Sequence, residues 1–233
     1  METKQQTPEN LYHVLLTTSH ITKNPNNVVE KVRIPGTYTS LLAAKAAAHS
    51  CLYEAGYERE WFETYETRTH LAEHEHGEQG PGKGVMVHAT APDGTTFRVR
   101  IDTTPNKMGL TSELADGRVS VPLFYVLQAS VEYTGGDGDE ECRVRDINVE
   151  GTFTSYDEAR KFASTVLLSP EDGITKESFA EYSEAQPDER DCGYGENVIV
   201  HAVSDYGVNY LVTVIKNQEL QAVNIAEAAM RIL

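Results

Sequence analysis

The chain has 233 residues and carries 36 acidic residues against 20 Lys and Arg, which gives a formal net charge of -16. Such a charge repels phosphate backbones and anionic lipid surfaces, so we expect neither a nucleic acid nor a membrane as partner. The three cysteines are widely spaced, residues 1–10 lack the apolar region of a secretory signal, and no apolar run reaches the ~20 residues of a membrane span, so we expect a cytoplasmic protein.

The first predicted elements are two strands and a helix. Mostly β-prone residues predict strands at 11–18 and 29–34, with a polar loop between them. The block Gly-Thr-Tyr-Thr-Ser ends the second strand, and Ser40 is the predicted N-cap of the helix. The apolar stripe of this helix consists of Ala44, Ala47, Ala48, Cys51 and Leu52.

A second, shorter helix and two more strands complete the first half of the chain. The short helix is predicted around Trp61, Phe62 and Tyr65, and a strand follows at 85–89. Residues 91–94 are typical of a hairpin turn. The last strand alternates the apolar residues Phe97, Val99 and Ile101 with the charged residues Arg98, Arg100 and Asp102.

Three blocks of this first half recur in the same order in the second half. The first strand recurs at Leu123, the Gly-Thr-Tyr-Thr-Ser block at Gly151 and the Val-Met-Val-His-Ala block at Val198. Chance does not give three such matches in one order. The chain is therefore interpreted as an internal tandem duplication of one module.

We expect an α+β fold of two tandem ββααββ modules, each a four-stranded antiparallel sheet with helices on one face, related by a pseudo-twofold axis. Whether the two sheets join edge to edge or stack is left open by the pattern. The expected boundaries are 1–105 for the first module, 106–121 for a linker, 122–217 for the second module and 218–233 for a C-terminal amphipathic helix.

The sheet face away from the helices is also expected to be covered. The first strand of each module is apolar on both faces, and the outer residues of the last strand change from charged in the first module to apolar in the second. The sister module, a second protomer or the C-terminal segment would supply the cover. The expected interface residues are Leu211, Ile215, Leu220, Val223, Met230 and Leu233.

Histidine occupies the same strand position in both modules, as His88 and His201. A neutral imidazole can bind a metal or move a proton, and the guanidinium groups of Arg98 and Arg100 would suit an anionic ligand. The alternative is a structural histidine that fixes the local hairpin. We favour this alternative because no acid or nucleophile recurs beside the two histidines.

A second histidine group is His70, His74 and His76, which lie in a stretch with three glutamates. His70 and His74 have the i, i+4 spacing of zinc ligands on one helical turn. The second module lacks this stretch, and the pattern is not HExxH, so a solvated acidic loop is the favoured interpretation. The acidic loop 135–141 lacks the spacing of an EF-hand, and we expect no cofactor.

The blocks GTYTS…AA, F…Y and VHA…G…V resemble a group of small fungal proteins of unassigned function. The resemblance covers both modules. It implies no reaction, cofactor or catalytic residue.

The sequence favours binding over catalysis. GxSxG, P-loop and dinucleotide glycine patterns are absent. We therefore expect a soluble intracellular binding or assembly protein that acts through the interface between modules or in a homodimer, with a protein partner or itself. The alternative is a small-molecule site or enzyme for an anionic ligand, in the cleft between modules around His88 and His201.

Overall fold

The structure is a computed structural model in which the described residues form two compact units. The chain passes from the first unit to the second between Ser120 and Val121. Among the described residues, no helix is long and apolar enough to cross a membrane. The described residues are 7–19, 31–67, 84–136 and 139–216, and for 132–136 and 139–146 the description covers the backbone alone.

The first unit is a five-stranded antiparallel sheet with a long helix packed on one face. Its elements are β1 (Asn10–Ser19), β2 (Lys31–Tyr38), α1 (Leu41–Glu54), a 3-10 turn (Arg59–Trp61), β3 (Thr64–Thr67), β4 (Val85–Thr90) and β5 (Thr96–Pro105). The strands lie in the order β2-β1-β5-β4-β3. The last strand of this unit, β5, therefore pairs with its first strand, β1.

The second unit has the same plan with a shorter helix. Its elements are β6 (Phe124–Gly136), β7 (Asp139–Phe153), α2 (Tyr156–Ala163), two 3-10 turns (Pro170–Asp172 and Lys176–Ser178), β8 (Glu181–Glu184), β9 (Val198–Val203) and β10 (Asn209–Lys216). The strand order is β7-β6-β10-β9-β8, which repeats the order of the first unit strand for strand. The prediction of an α+β chain with two similar antiparallel modules is confirmed, and the pseudo-twofold relation stays a prediction.

The predicted number of strands was wrong, because each sheet has five strands and not four. The segment predicted as a second helix is a 3-10 turn that leads into a short edge strand. Tyr65 on β3 pairs with Ala89, and Tyr182 on β8 pairs with Ala202. Aromatic residues three positions apart imitate a helical stripe here, because Phe62 closes the turn and Tyr65 lies on the strand.

Both units repeat one aromatic arrangement beside this edge strand. Arg59 lies 5.3 Å from the ring centre of Tyr65, and Lys176 lies 5.3 Å from that of Tyr182. The ring centres of Phe62 and Tyr65 are 5.6 Å apart, and the equivalent pair in the second unit, Phe179 and Tyr182, has the same separation. Such cation–π and tilted ring contacts stabilise the packing of the turn on the sheet.

The two helices use small residues to approach their sheets. Ala44 and Ala48 of α1 and Ala159 and Ala163 of α2 are all fully buried. A helix packs closely on a sheet where its inner side chains are small. The inner face of α1 contacts apolar residues of the strands, including Val14, Leu16, Val87, Phe97 and Val99.

Residues 117–119 lie against the edge of the first sheet. The amide of Val119 donates to the carbonyl oxygen of Thr37 at 2.8 Å, and the amide of Thr39 donates to that of Gly117 at 3.1 Å. Gly117 has a φ of +76°, and a side chain there would meet the Cβ of Ala43 at 3.2 Å. The segment predicted as a linker thus covers part of the outer edge of β2, which limits strand pairing there.

Candidate functional site

A row of polar residues crosses the first sheet on the face away from α1. His88 on β4 pairs with Glu66 on β3 and with Arg98 on β5. Arg98 in turn pairs with Thr17 on β1. Side chains alternate along a strand, so Arg100 lies on the same face as Arg98. The structure therefore brings together three of the four predicted ligand residues.

The electrostatic setting of His88 keeps its imidazole neutral. Burial lowers the pKa of His88, the positive charge of Arg98 lowers it further, and the carboxylate of Glu66 opposes this effect. Next to this group, a guanidinium nitrogen of Arg100 lies 3.7 Å from a carboxylate oxygen of Asp102. The row thus combines one imidazole with the guanidinium groups of Arg98 and Arg100 and with the carboxylates of Glu66 and Asp102.

His13 lies on the same sheet face and is completely buried. Its Nδ1 atom is 2.9 Å from the hydroxyl of Thr37, and its Nε2 atom is 2.8 Å from the hydroxyl of Thr104. A hydroxyl can donate or accept, so the two threonines satisfy both nitrogens of a neutral imidazole. Burial lowers the pKa of His13 to about 3, and this group stays uncharged at neutral pH.

His13 was not identified as a site residue from the sequence. It stands within the apolar strand Leu11–Leu15, where the second module carries Tyr125. The sequence signal that could have identified His13 is a polar ring at a strand position expected to be buried, because such a ring needs hydrogen-bond partners. The partners Thr37 and Thr104 are 24 and 91 residues away in the chain. Which residues bond to His13 therefore depends on the order of the strands in the sheet.

His201 occupies the equivalent position in the second unit but has different neighbours. It pairs with Leu211 on β10, where the first unit has Arg98 opposite His88. The ring of Tyr194 stacks on the imidazole with centres 3.8 Å apart and planes 17° apart. The Nε2 atom lies 3.1 Å from the amide oxygen of Asn209, which identifies Nε2 as the donor. The second unit therefore repeats the histidine without the cations.

Cys192 lies beside His201 and is a poor nucleophile. Burial raises the pKa of its thiol, although backbone amides of Cys192, Tyr194 and His201 donate hydrogen bonds to the sulfur. In the first unit, burial raises the pKa of Cys51 to about 12. A thiol with a raised pKa is protonated at neutral pH, so neither side chain is activated for attack.

The other predicted sites are only partly within the described residues. His70, His74 and His76 lie outside them, as do Leu220, Val223, Met230 and Leu233. Within the described ranges, no three His, Cys, Asp or Glu side chains are grouped as metal ligands. Leu211 and Ile215 are half-buried on β10, on the sheet face away from α2.

The outer face of α1 carries two strongly exposed large side chains, Leu42 and Tyr53. Leu42, Ala46, His49 and Tyr53 follow the spacing i, i+4, i+7 and i+11, which places them on one side of the helix. Leu42 is 79% exposed and Tyr53 is 75% exposed. We call these four residues the outer stripe of α1. The periodicity of the sequence predicted only the inner stripe of this helix.

The equivalent surface of α2 is charged. Alignment of the two N-cap residues, Ser40 and Ser155, places Asp157 at the position of Leu42 and Lys161 at the position of Ala46. Both residues of α2 are exposed. The two modules share their inner helix faces but differ in their outer ones. The fold therefore does not require the apolar outer stripe.

Comparison with protein-family models, with curated proteins and with solved structures gave no match to this chain. The resemblance to small fungal proteins stays a prediction.

Proposed function

We propose that this protein is a non-catalytic binding or assembly protein that works through contact with another protein chain. The outer stripe of α1 is the observation that carries this proposal. Single exposed apolar residues are common on soluble proteins, but four residues aligned over three turns of one helix form a continuous contact surface. The charged outer face of α2 shows that the same module folds without such a surface.

Burial removes two titratable groups of the first unit, His13 and Cys51, as candidates for acid–base catalysis. Acid–base catalysis at neutral pH needs a group whose pKa lies near 7. His13 has a pKa of about 3 and Cys51 a pKa of about 12, so neither exchanges protons readily near pH 7. Both side chains are buried and pack within the fold. Free cysteines also suit a reducing compartment, and we place this function in the cytoplasm.

Photo-crosslinking from the full chain tests this proposal. A photoreactive residue in place of Ala46 is expected to form protein adducts of defined mass in an extract of the cells that make the protein. The same residue in place of Lys161, its equivalent on α2, serves as the matched control. Leu42→Lys is expected to remove the adducts, because a charge then interrupts the apolar surface.

Equal adduct formation from positions 46 and 161 would contradict a specific contact surface on α1. Adducts that persist after Leu42→Lys would contradict it as well.

A second candidate function is the binding of a small anion by the polar row of the first sheet. The observation that favours it is the placement of Arg98, Arg100 and His88 on one sheet face. Two guanidinium groups can bind a carboxylate or phosphate through several hydrogen bonds. A neutral imidazole beside them can add a further donor.

Titration with inorganic phosphate, followed by NMR of the imidazole of His88, tests this candidate. A bound anion is expected to raise the pKa of His88, because it offsets the positive charge of Arg98. Arg98→Gln is expected to weaken phosphate binding at least about tenfold, the effect of losing one charged contact of roughly 1.4 kcal/mol or more. Arg118→Gln, which alters an exposed arginine, is the control. An unchanged His88 titration in phosphate would exclude the candidate.

A further inference from the structure

We propose that the partner of the outer stripe of α1 is the same stripe of a second copy of this chain, packed antiparallel about a twofold axis. This inference rests on the proposed function, because it names the partner of that surface.

The spacing of the outer stripe is self-complementary. From Leu42 to Tyr53 the intervals are four, three and four residues, which read the same in both directions. A twofold axis between residues 47 and 48 therefore places Leu42 opposite Tyr53 of the second copy. It also places Ala46 opposite His49 of the second copy. A twofold interface requires this reciprocity, since each contact of residue i with residue j occurs twice.

The sizes of the side chains fit close helix packing. Ala46 near the centre lets the two helix axes approach, and helices with small contact residues pack at the lower end of the usual range of about 8–10 Å. Leu42 and Tyr53 stand at the two ends of the stripe and are largely exposed in the single chain. Antiparallel pairing would cover each leucine with an aromatic ring.

The charges on α1 also permit two copies to meet there. The chain has a net charge of -16, so most surfaces of two copies repel each other. Residues 41–53 contain no acidic residue, and Glu54 follows at the end of the helix.

The expected dimer is weak. Stable dimers bury about 800 Å² on each partner, and one face of a 14-residue helix offers less. We therefore expect a dissociation constant above about 1 µM, with the monomer dominant in dilute solution.

Sedimentation equilibrium of the full chain over a range of concentrations tests the inference. Wild type is expected to dimerise reversibly. Leu42→Lys and Tyr53→Glu are each expected to raise the dissociation constant at least about tenfold, because each change removes two apolar contacts from the twofold interface. The double variant is expected to recover binding to within a few fold of wild type, since each lysine then faces a glutamate of the other copy. Asp157→Lys, at the equivalent position of α2, is the control and is expected to leave dimerisation unchanged.

Three results would overturn the inference. The first is a monomer at all concentrations up to about 1 mM. The second is a dimer that neither single variant weakens. The third is a double variant that binds no more tightly than the single variants. In a parallel pair each lysine would face a lysine and each glutamate a glutamate, so binding would not recover. If the chain is monomeric but adducts from position 46 with another protein persist, self-association fails while the proposed function stands. If neither dimer nor adducts are found, both fail.

Discussion

Lowering the pH from 7 to 5 is expected to reduce the free energy of unfolding of the first unit by about 2 kcal/mol through His13 alone. Burial lowers the pKa of His13 to about 3 in the folded chain, whereas the unfolded chain has the ordinary value of 6.5. As the pH falls through 6.5, the unfolded chain therefore binds a proton that the folded chain excludes. The contribution to stability is complete above pH 6.5 and is lost progressively as the pH falls toward 3.

Urea denaturation followed by tryptophan fluorescence measures this effect, because Trp61 is the one tryptophan of the chain and lies in the first unit. His13→Gln is expected to be less stable at pH 7, since the amide replaces the imidazole imperfectly between two threonines. Its stability is expected to change about 2 kcal/mol less than that of wild type between pH 7 and pH 5.

Phe62→Ala provides the control for this measurement, because it lowers the stability of the first unit without removing a histidine. Its loss of stability between pH 7 and pH 5 should match that of wild type. If His13→Gln and wild type lose the same stability on acidification, the folded protein accepts a proton at His13. The description of this residue as a neutral group held by Thr37 and Thr104 would then be wrong.

The duplication of the sequence was enough to predict the architecture but not the number of strands. The predicted strands that begin at Leu11 and Leu123 show clear β-prone patterns, whereas the pairing of these strands with the last strand of each unit is known from the structure. The edge strands Thr64–Thr67 and Glu181–Glu184 have only four residues each. A segment of four residues is too short to show whether its apolar residues recur with the period of two of a strand or with the period of three to four of a helix.

The polar row was predictable in part because it depends on local alternation and on one strand pairing. Arg98 and Arg100 stand two positions apart on one strand, so the sequence alone places them on one face. The register then brings His88 opposite Arg98. Glu66 was missed because it lies on the strand that was interpreted as helix. Its effect on the pKa of His88 requires the pairing of β3 with β4.

The outer stripe of α1 was overlooked because alanine and leucine occur on both sides of this helix. An amphipathic helix is recognised by the contrast between its faces, and α1 has little contrast. The burial of Ala44 and Leu52 identifies the inner face, and the exposure of Leu42 and Tyr53 then identifies the outer one. The helix N-caps, Ser40 and Ser155, align the modules and show which residues of α2 replace the stripe. The outer stripe is thus recognised from the exposure of its side chains in the structure and from the comparison with the duplicated helix α2.

Phe62→Ala is expected to reduce the free energy of unfolding of the first unit by about 3–5 kcal/mol, the usual cost of deleting a buried aromatic side chain. Phe62 is 8% exposed, and its ring centre lies between 5.0 and 5.8 Å from those of four other aromatic residues. These are Tyr57, Trp61, Tyr65 and Phe97. The substitution leaves a cavity between the 3-10 turn and the sheet, where large rings cannot shift far to fill it.

The duplication supplies a matched comparison in Phe179→Ala. Phe179 occupies the equivalent position, but it is half-buried and contacts the rings of Tyr182 and Tyr210 at 5.6 and 6.3 Å. Fewer contacts are lost and water already reaches part of the ring, so we expect a loss of about 1–2 kcal/mol. Urea denaturation followed by far-ultraviolet circular dichroism compares both variants, and Trp61 fluorescence follows the first unit separately. Equal losses for the two variants would show that the additional rings around Phe62 contribute no stability of their own.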